Sequence, residues 1–216
     1  MRPASIAELP DILAVFPLPG VLLLPHGRLP LNIFEPRYLA MTHDALGAER
    51  LIGMIQPADP ADASENPPLY EVGCAGRITS FAETEDNRFL ITLTGLCRFA
   101  VGEELDLVDG YRRVRPDWSA HADDLRMPDP ALVPRERLLP PLKAYFSAHD
   151  IEVDWQAIEK ASSDQLVTSL AMACPFTPGE KQALLEAPRL ADRAELMISL
   201  LAMAALDGGD ASDKVN

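Results

Sequence analysis

The stretch Phe16–Tyr38 constrains this chain more than any other, because prolines stand at 17, 19, 25, 30 and 36 within it. Each proline fixes φ and removes a backbone donor, so a central strand cannot carry many of them. Much of the stretch is therefore expected at a sheet edge or in an extended loop, with Pro36 in the first turn of a helix. Between Pro19-Gly20 and Pro25-His26-Gly27 lie four consecutive apolar residues, Val21, Leu22, Leu23 and Leu24. Such a run either folds back onto the protein or stays out as a contact surface for a partner. The second reading makes it the candidate binding site.

The rest of the first half reads as strands. Tyr70, Val72, Cys74, Gly76 and Ile78 share one parity, opposite Glu71, Arg77 and Thr79. Ile91, Leu93, Cys97, Phe99 and Val101 alternate in the same way with Thr92, Thr94 and Arg98, which places those three on the polar face. Leu51–Ile55 and Tyr111–Arg115 add shorter strands. Gly73 and Gly76 predict bulges that let a small sheet curl. One helix interrupts the strands, carrying Tyr38, Met41 and Ala45 as a stripe and ending at Gly47.

After residue 130 the pattern turns helical. Ser162–Gln165 and Thr177–Glu180 have the form of capping boxes. Pro140-Pro141 predicts a kink or a split in the first of these helices. The last helix, from about Leu190 to Leu206, is apolar on all sides and is expected at the centre of a small bundle. Trp118–Pro134 reads as a polar linker, and Pro57–Pro68 as a mobile loop. The expected fold is α+β in two parts, residues 1–119 and 120–216.

The chain has 216 residues, enough to bury a core without staples, and a net charge of −14. Nineteen basic residues against 33 acidic ones argue against nucleic acid and against an acidic membrane, both of which need a basic face. Apolar or basic partners fit better. The apolar run Leu196–Leu206 falls short of the roughly 18 residues of a membrane span. Three cysteines without a Cys-x-x-Cys pair predict reduced, buried thiols and a cytoplasmic setting.

Catalytic patterns are missing. There is no Gly-Lys dipeptide for a phosphate loop, no His-Glu-x-x-His and no Gly-x-Ser-x-Gly. Lys143 and Ser147 lie one helical turn apart, but an active lysine must be buried to lose its proton, so a surface pair is expected. Ser147-Ala148-His149-Asp150 holds triad residue types, yet triads are assembled in space. His121-Ala122-Asp123-Asp124 falls in the linker, where three or four fixed metal ligands are not expected. No catalytic residue, metal or cofactor is assigned.

The proline-dense stretch also carries a family resemblance. Phe16-Pro17-Leu18, the apolar loop closed by Pro25, and Glu35-Pro36-Arg37-Tyr38 resemble the opening motif of the Lon protease N-terminal domain. Leu51–Ile55, Val72–Ile78 and Leu93–Phe99 agree with it, so the resemblance covers about residues 10–115, with a more generic helical tail. It implies a PUA-like β-barrel with one inserted helix, followed by a C-terminal helical bundle. In full-length Lon this region helps to recognise unfolded substrates, ahead of an ATPase and a Ser–Lys peptidase. Ending at Asn216, this chain resembles the stand-alone bacterial forms. The implied function is non-enzymatic binding of apolar or unfolded polypeptide segments, as an adaptor in protein quality control. Val21, Leu22, Leu23 and Leu24 supply contact, and Arg37 orients the client or, alternatively, pairs with a carboxylate of the barrel. Burying about 400 Å² is worth roughly 10 kcal/mol gross against an association cost of some 4–15 kcal/mol, which predicts micromolar or weaker affinity. Two other readings are a ligand-binding or catalytic cleft between the two parts and a weak homo-oligomer.

Overall fold

The computed structural model describes residues 3–62 and 64–212, with side chains as far as Leu206. Its strands are β1 (Leu13–Pro17), β2 (Arg28–Ile33), β3 (Leu51–Ile55), β4 (Val72–Glu83), β5 (Phe89–Val108) and β6 (Tyr111–Asp117). Its α-helices are α1 (Pro36–Gly47), α2 (Arg135–Ala148), α3 (Trp155–Lys160), α4 (Ser163–Ala173), α5 (Pro178–Glu186) and α6 (Leu190–Ser212). The chain divides into two compact units. One is Met1–Met127 with Pro175–Leu185; the other is Pro128–Cys174 with Glu186–Asn216. The first unit thus runs past the expected boundary at 119/120 and takes back a later segment.

In the first unit the six strands lie in the order β2-β5-β4-β3-β1-β6, and β6 pairs with β5 as well. β1 runs parallel to β3, and the other pairings are antiparallel. The prolines sit where a sheet tolerates them. Pro17 is the last residue of β1. Pro30 lies in β2, at one end of the strand order and paired with β5.

The ladder between β4 and β5 shifts register between Ala75 and Gly76 and again between Ile78 and Ser80. The shift at Gly76 matches the expected bulge. Gly73 has another reason: a Cβ there would lie 2.6 Å from the ring of Phe99. Phe99 stacks edge-on against Trp118 at 5.7 Å, and both belong to a core with Leu13, Val15, Ile55 and Val114. α1 begins at Pro36 and buries Tyr38, Met41, Thr42 and Ala45 along one stripe, as its spacing predicts.

Three expectations for this unit are corrected. Arg98 is buried, because the segment read as a polar linker folds over it. A 3-10 turn at Ser119–Leu125 brings Asp124 to Arg98, and the carboxylate takes hydrogen bonds from Nε (2.8 Å), Nη2 (2.8 Å) and the backbone N–H of Arg98 (2.9 Å). Cys97 Sγ reaches the His121 carbonyl at 3.3 Å. The segment Pro57–Pro68 is tied down at its base: Ala58 N–H donates to Pro68 O (2.8 Å), and Arg112 Nη1 donates to Pro67 O (2.6 Å). The third correction concerns α5. Its capping box forms in both directions, with Thr177 N–H donating to Glu180 Oε2 at 2.8 Å and Glu180 N–H to Thr177 Oγ1 at 3.3 Å. The helix so started fastens to the strands. Gln56 Nε2 donates to Pro178 O (3.0 Å) and Gln182 Nε2 to Val72 O (3.0 Å).

In the second unit α6 packs along α2 and also touches α4. Leu138, Leu142 and Tyr145 of α2 and Ala194, Met197 and Leu201 of α6 are buried. α2 is not split at Pro140 and Pro141 and runs from Arg135 to Ala148. The expectation of a last helix buried on all sides fails. α6 buries one stripe and leaves Met203 and Leu206 exposed. Ser162 stands at the N-cap of α4 without a side-chain capping bond. Lys143 and Ser147 are both exposed, and the Lys143 ammonium lies 5.4 Å over the Trp155 ring. All three cysteines, Cys74, Cys97 and Cys174, are buried. No helix among the described residues is long and apolar enough to cross a membrane.

Candidate functional site

Val21–Leu24 does not form an exposed apolar surface. Leu22 and Leu23 are 2% exposed, Leu24 is fully buried, and Val21 is half-buried. The segment is not a strand, so its side chains are not forced to alternate, and three successive leucines turn inward. Leu23 lies over Gly76, where an added Cβ would meet its Cδ2 at 2.7 Å. The Leu24 carbonyl lies over Gly95, where an added Cβ would approach it to 2.0 Å. Gly20 and His26 take positive φ at the two ends, and Lys181 Nζ donates to Gly20 O at 2.8 Å. The run is packed, as the first of its two readings had it.

Arg37 pairs within its own segment. Its Nε and Nη2 both reach Glu35 Oε2, at 3.2 and 3.0 Å, and its guanidinium lies 4.7 Å over the Tyr38 ring. Tyr38 is wedged against Phe16 with ring centroids 4.1 Å apart. Burial pushes its phenol above the ordinary value, against the opposing charge of Arg37. Beside this pair opens a cleft of about 160 Å³. Its walls are Pro17 and Pro19 at the end of β1, Pro57, Pro60 and Pro67 of the tied loop, and the start of β6. Arg112 holds the loop side rigid: it grips Glu104 through Nε (2.6 Å) and Nη2 (2.7 Å) as well as Pro67 O. Tyr111 fixes α1 against β6 by donating to Asp44 Oδ2 at 2.8 Å, and burial together with that bond pushes its phenol up to about 12.

A second feature lies at the turn between β4 and β5. Phe81 and Phe89 face each other across the hairpin at 5.0 Å, and Phe81 is 42% exposed. Phe34, 60% exposed, follows Ile33, which pairs with Phe89, and the Arg88 guanidinium lies 5.6 Å over its ring. Leu90 shows 45% of its surface on the reverse parity of the same strand. Glu83 and Glu85 are exposed beside these rings. Large apolar side chains held in water at a hairpin tip are the arrangement expected of a contact surface. The alternation pattern passed over these residues, although two phenylalanines flanking the turn at Asp86-Asn87 were the available signal.

The model of the ATP-dependent protease La (LON) substrate-binding domain matches residues 12–203. The chain belongs to this family. Its likeness to Lon proteases is distant and partial. Lon protease 2 of Sorangium cellulosum is 33% identical over 107 residues, 49% of this chain and 13% of that protein. Lon protease 2 of Thermus thermophilus is 26% identical over 201 residues, 89% of this chain and 24% of the relative. The chain therefore spans a small fraction of these relatives' length. Two solved structures share the fold of this Lon substrate-binding domain. A Lon N-terminal domain protein from Xanthomonas campestris superposes with a TM-score of 0.61 at 21% identity, covering 87% of this chain and 97% of that one. The N-terminal domain of Mycobacterium avium complex Lon protease gives 0.62 at 16% identity, covering 88% and 98%.

Proposed function

We propose that this Lon substrate-binding domain recognises apolar segments of unfolded polypeptides through the aromatic patch Phe34, Phe81 and Phe89. It does so without chemistry of its own, as an adaptor in protein quality control in the cytoplasm. The observation that carries this reading is the exposure of Phe34 and Phe81, at 60% and 42%, in a unit that buries Leu22, Leu23 and Leu24. Aromatic rings give large contact area at small entropic cost, and such residues dominate binding energy in protein interfaces. The patch is small, so affinity is micromolar or weaker, which suits sampling of many chains. A net charge of −14 with acidic residues beside the rings favours clients with basic flanks and opposes nucleic acid. The pairing of β6 with both β1 and β5 supports reading the strands as a closed PUA-like barrel, which gives the hairpin a rigid base.

The double variant Phe34→Ser, Phe81→Ser tests the proposal. It is expected to melt close to the parent, since exposed substitutions stay within about ±0.5 kcal/mol, and to bind a denatured, carboxymethylated client at least about tenfold more weakly. Unchanged client affinity in a correctly folded double variant overturns it.

A further inference from the structure

We infer that the cleft beside the start of α1 takes the free α-carboxylate of a polypeptide's C-terminal residue. This rests on the polypeptide-recognition reading above and adds to it which part of a client is read at a second point.

The donors left open in the cleft carry the inference. Tyr38 is 6% exposed, and its hydroxyl meets no hydrogen-bond partner among the described residues. The cleft is where this otherwise buried side chain reaches open space. Its hydroxyl is not sealed in the interior but accessible at the cleft wall, where a ligand acceptor can reach it. Arg37 supplies the second donor. Glu35 occupies its Nε and Nη2, and Nη1 is left without a partner among the described residues. The Glu35 pair and the Tyr38 ring hold the guanidinium in one place, so its free edge is oriented before anything binds. Arg112 adds positive charge, but Glu104 and Pro67 engage its nitrogens, so it serves as wall rather than donor.

A phenol O–H and one guanidinium N–H suit a group that only accepts, and charge-assisted bonds to a carboxylate are the strong form. The loop wall narrows the class further. Asp62, whose Oδ1 accepts from Ser64 N–H, and Glu65 both line the cleft, and their charge weighs more heavily against a doubly charged phosphate than against the single charge of a carboxylate. The prolines of the wall have no N–H to offer and present apolar surface to a small side chain. A volume of about 160 Å³ admits a terminal residue and excludes a bulky folded element.

The test uses the full chain and a fluorescent apolar peptide of twelve residues ending in leucine. It is made once with a free C-terminal carboxylate and once as the C-terminal amide, and binding is followed by anisotropy. The free acid is expected to bind about tenfold more tightly than the amide. Tyr38→Phe and Arg37→Gln are expected to erase that preference while leaving the weaker binding of the amide unchanged. Removing the Tyr38 hydroxyl breaks no protein bond, so its melting temperature is expected to match the parent. Equal binding of acid and amide, with both weakened by Phe34→Ser, overturns the carboxylate site and leaves the patch reading standing. Binding of neither peptide overturns both. An acid preference that survives Tyr38→Phe and Arg37→Gln overturns the cleft as its location. Competition by N-acetyl-leucine as strong as by the peptide shows a small free acid as the ligand and overturns the client terminus.

Discussion

At Arg98 a guanidinium 4% exposed is matched to an Asp124 carboxylate 11% exposed, and Nη1 donates to Leu185 O at 2.9 Å. Burial alone would push the Asp124 carboxyl up; the hydrogen bonds and charge of Arg98 outweigh it and hold the group below the usual carboxylate range. A carboxyl whose folded pKa is depressed adds stability above its unfolded value, near 3.9, and loses it as pH falls through the folded value. Asp124→Asn is therefore expected to destabilise the protein by about 3–5 kcal/mol at neutral pH, because Arg98 is left buried without its counter-charge. The gap between the two proteins is expected to close as urea titrations move below about pH 4. Leu23 makes the complementary case. At 2% exposure, Leu23→Asp places a carboxylate in apolar packing against Gly76 and is expected to cost about 3 kcal/mol or more in the same titration.

Among the elements, α5 shows how a short helix is recruited by its neighbours. Pro178 fills the first position and the Thr177–Glu180 box satisfies the first turn. Gln56 then donates to Pro178 O, and Lys181 and Gln182 of the helix donate to the backbone carbonyls of Gly20 and Val72. Thr177→Ala is expected to cost about 1 kcal/mol by thermal melt, the usual cost of a lost N-cap. The loop Pro57–Pro68 depends on a different device, the hydrogen bond from Arg112 to Pro67 O. Arg112→Ala is expected to open this loop to limited proteolysis within residues 58–66, followed by mass spectrometry. Glu104→Gln keeps that bond and is expected to leave the cleavage rate near that of the parent.

For the whole molecule, the return of Pro175–Leu185 to the first unit sets what can be cut. A fragment of residues 1–127 keeps every strand but loses the Leu185 carbonyl under Arg98 and the α5 partners of Gln56 and Val72. It is expected to melt well below the intact chain by circular dichroism. Joining residues 175–186 to it through a flexible linker is expected to recover most of the loss. A fragment as stable as the parent would show that α5 is dispensable to the strand unit.

Local rules in the sequence determined the elements. The short apolar run Leu51–Ile55 located β3 to the residue, alternation found the cores of β4 and β5, and Tyr111–Arg115 marked most of β6; proline and stripe located α1; and the Thr177–Glu180 spacing located the start of α5. These signals are local, because a period of two or of 3.6 and a capping distance are set within one element. The family motif in Phe16–Tyr38 was equally legible. Where the buried polar groups went was not. Nothing near Arg98 in the chain shows that Asp124, 26 positions on, would cover it, or that Leu185 would lie beneath its other edge. Whether the run Val21–Leu24 is exposed or packed was undecided in the sequence for the same reason. Exposure belongs to the folded surface, and hydrophobicity alone cannot separate Leu22–Leu24, which found Gly76 and Gly95 to pack against, from Phe34 and Phe81, which the tertiary structure left in water.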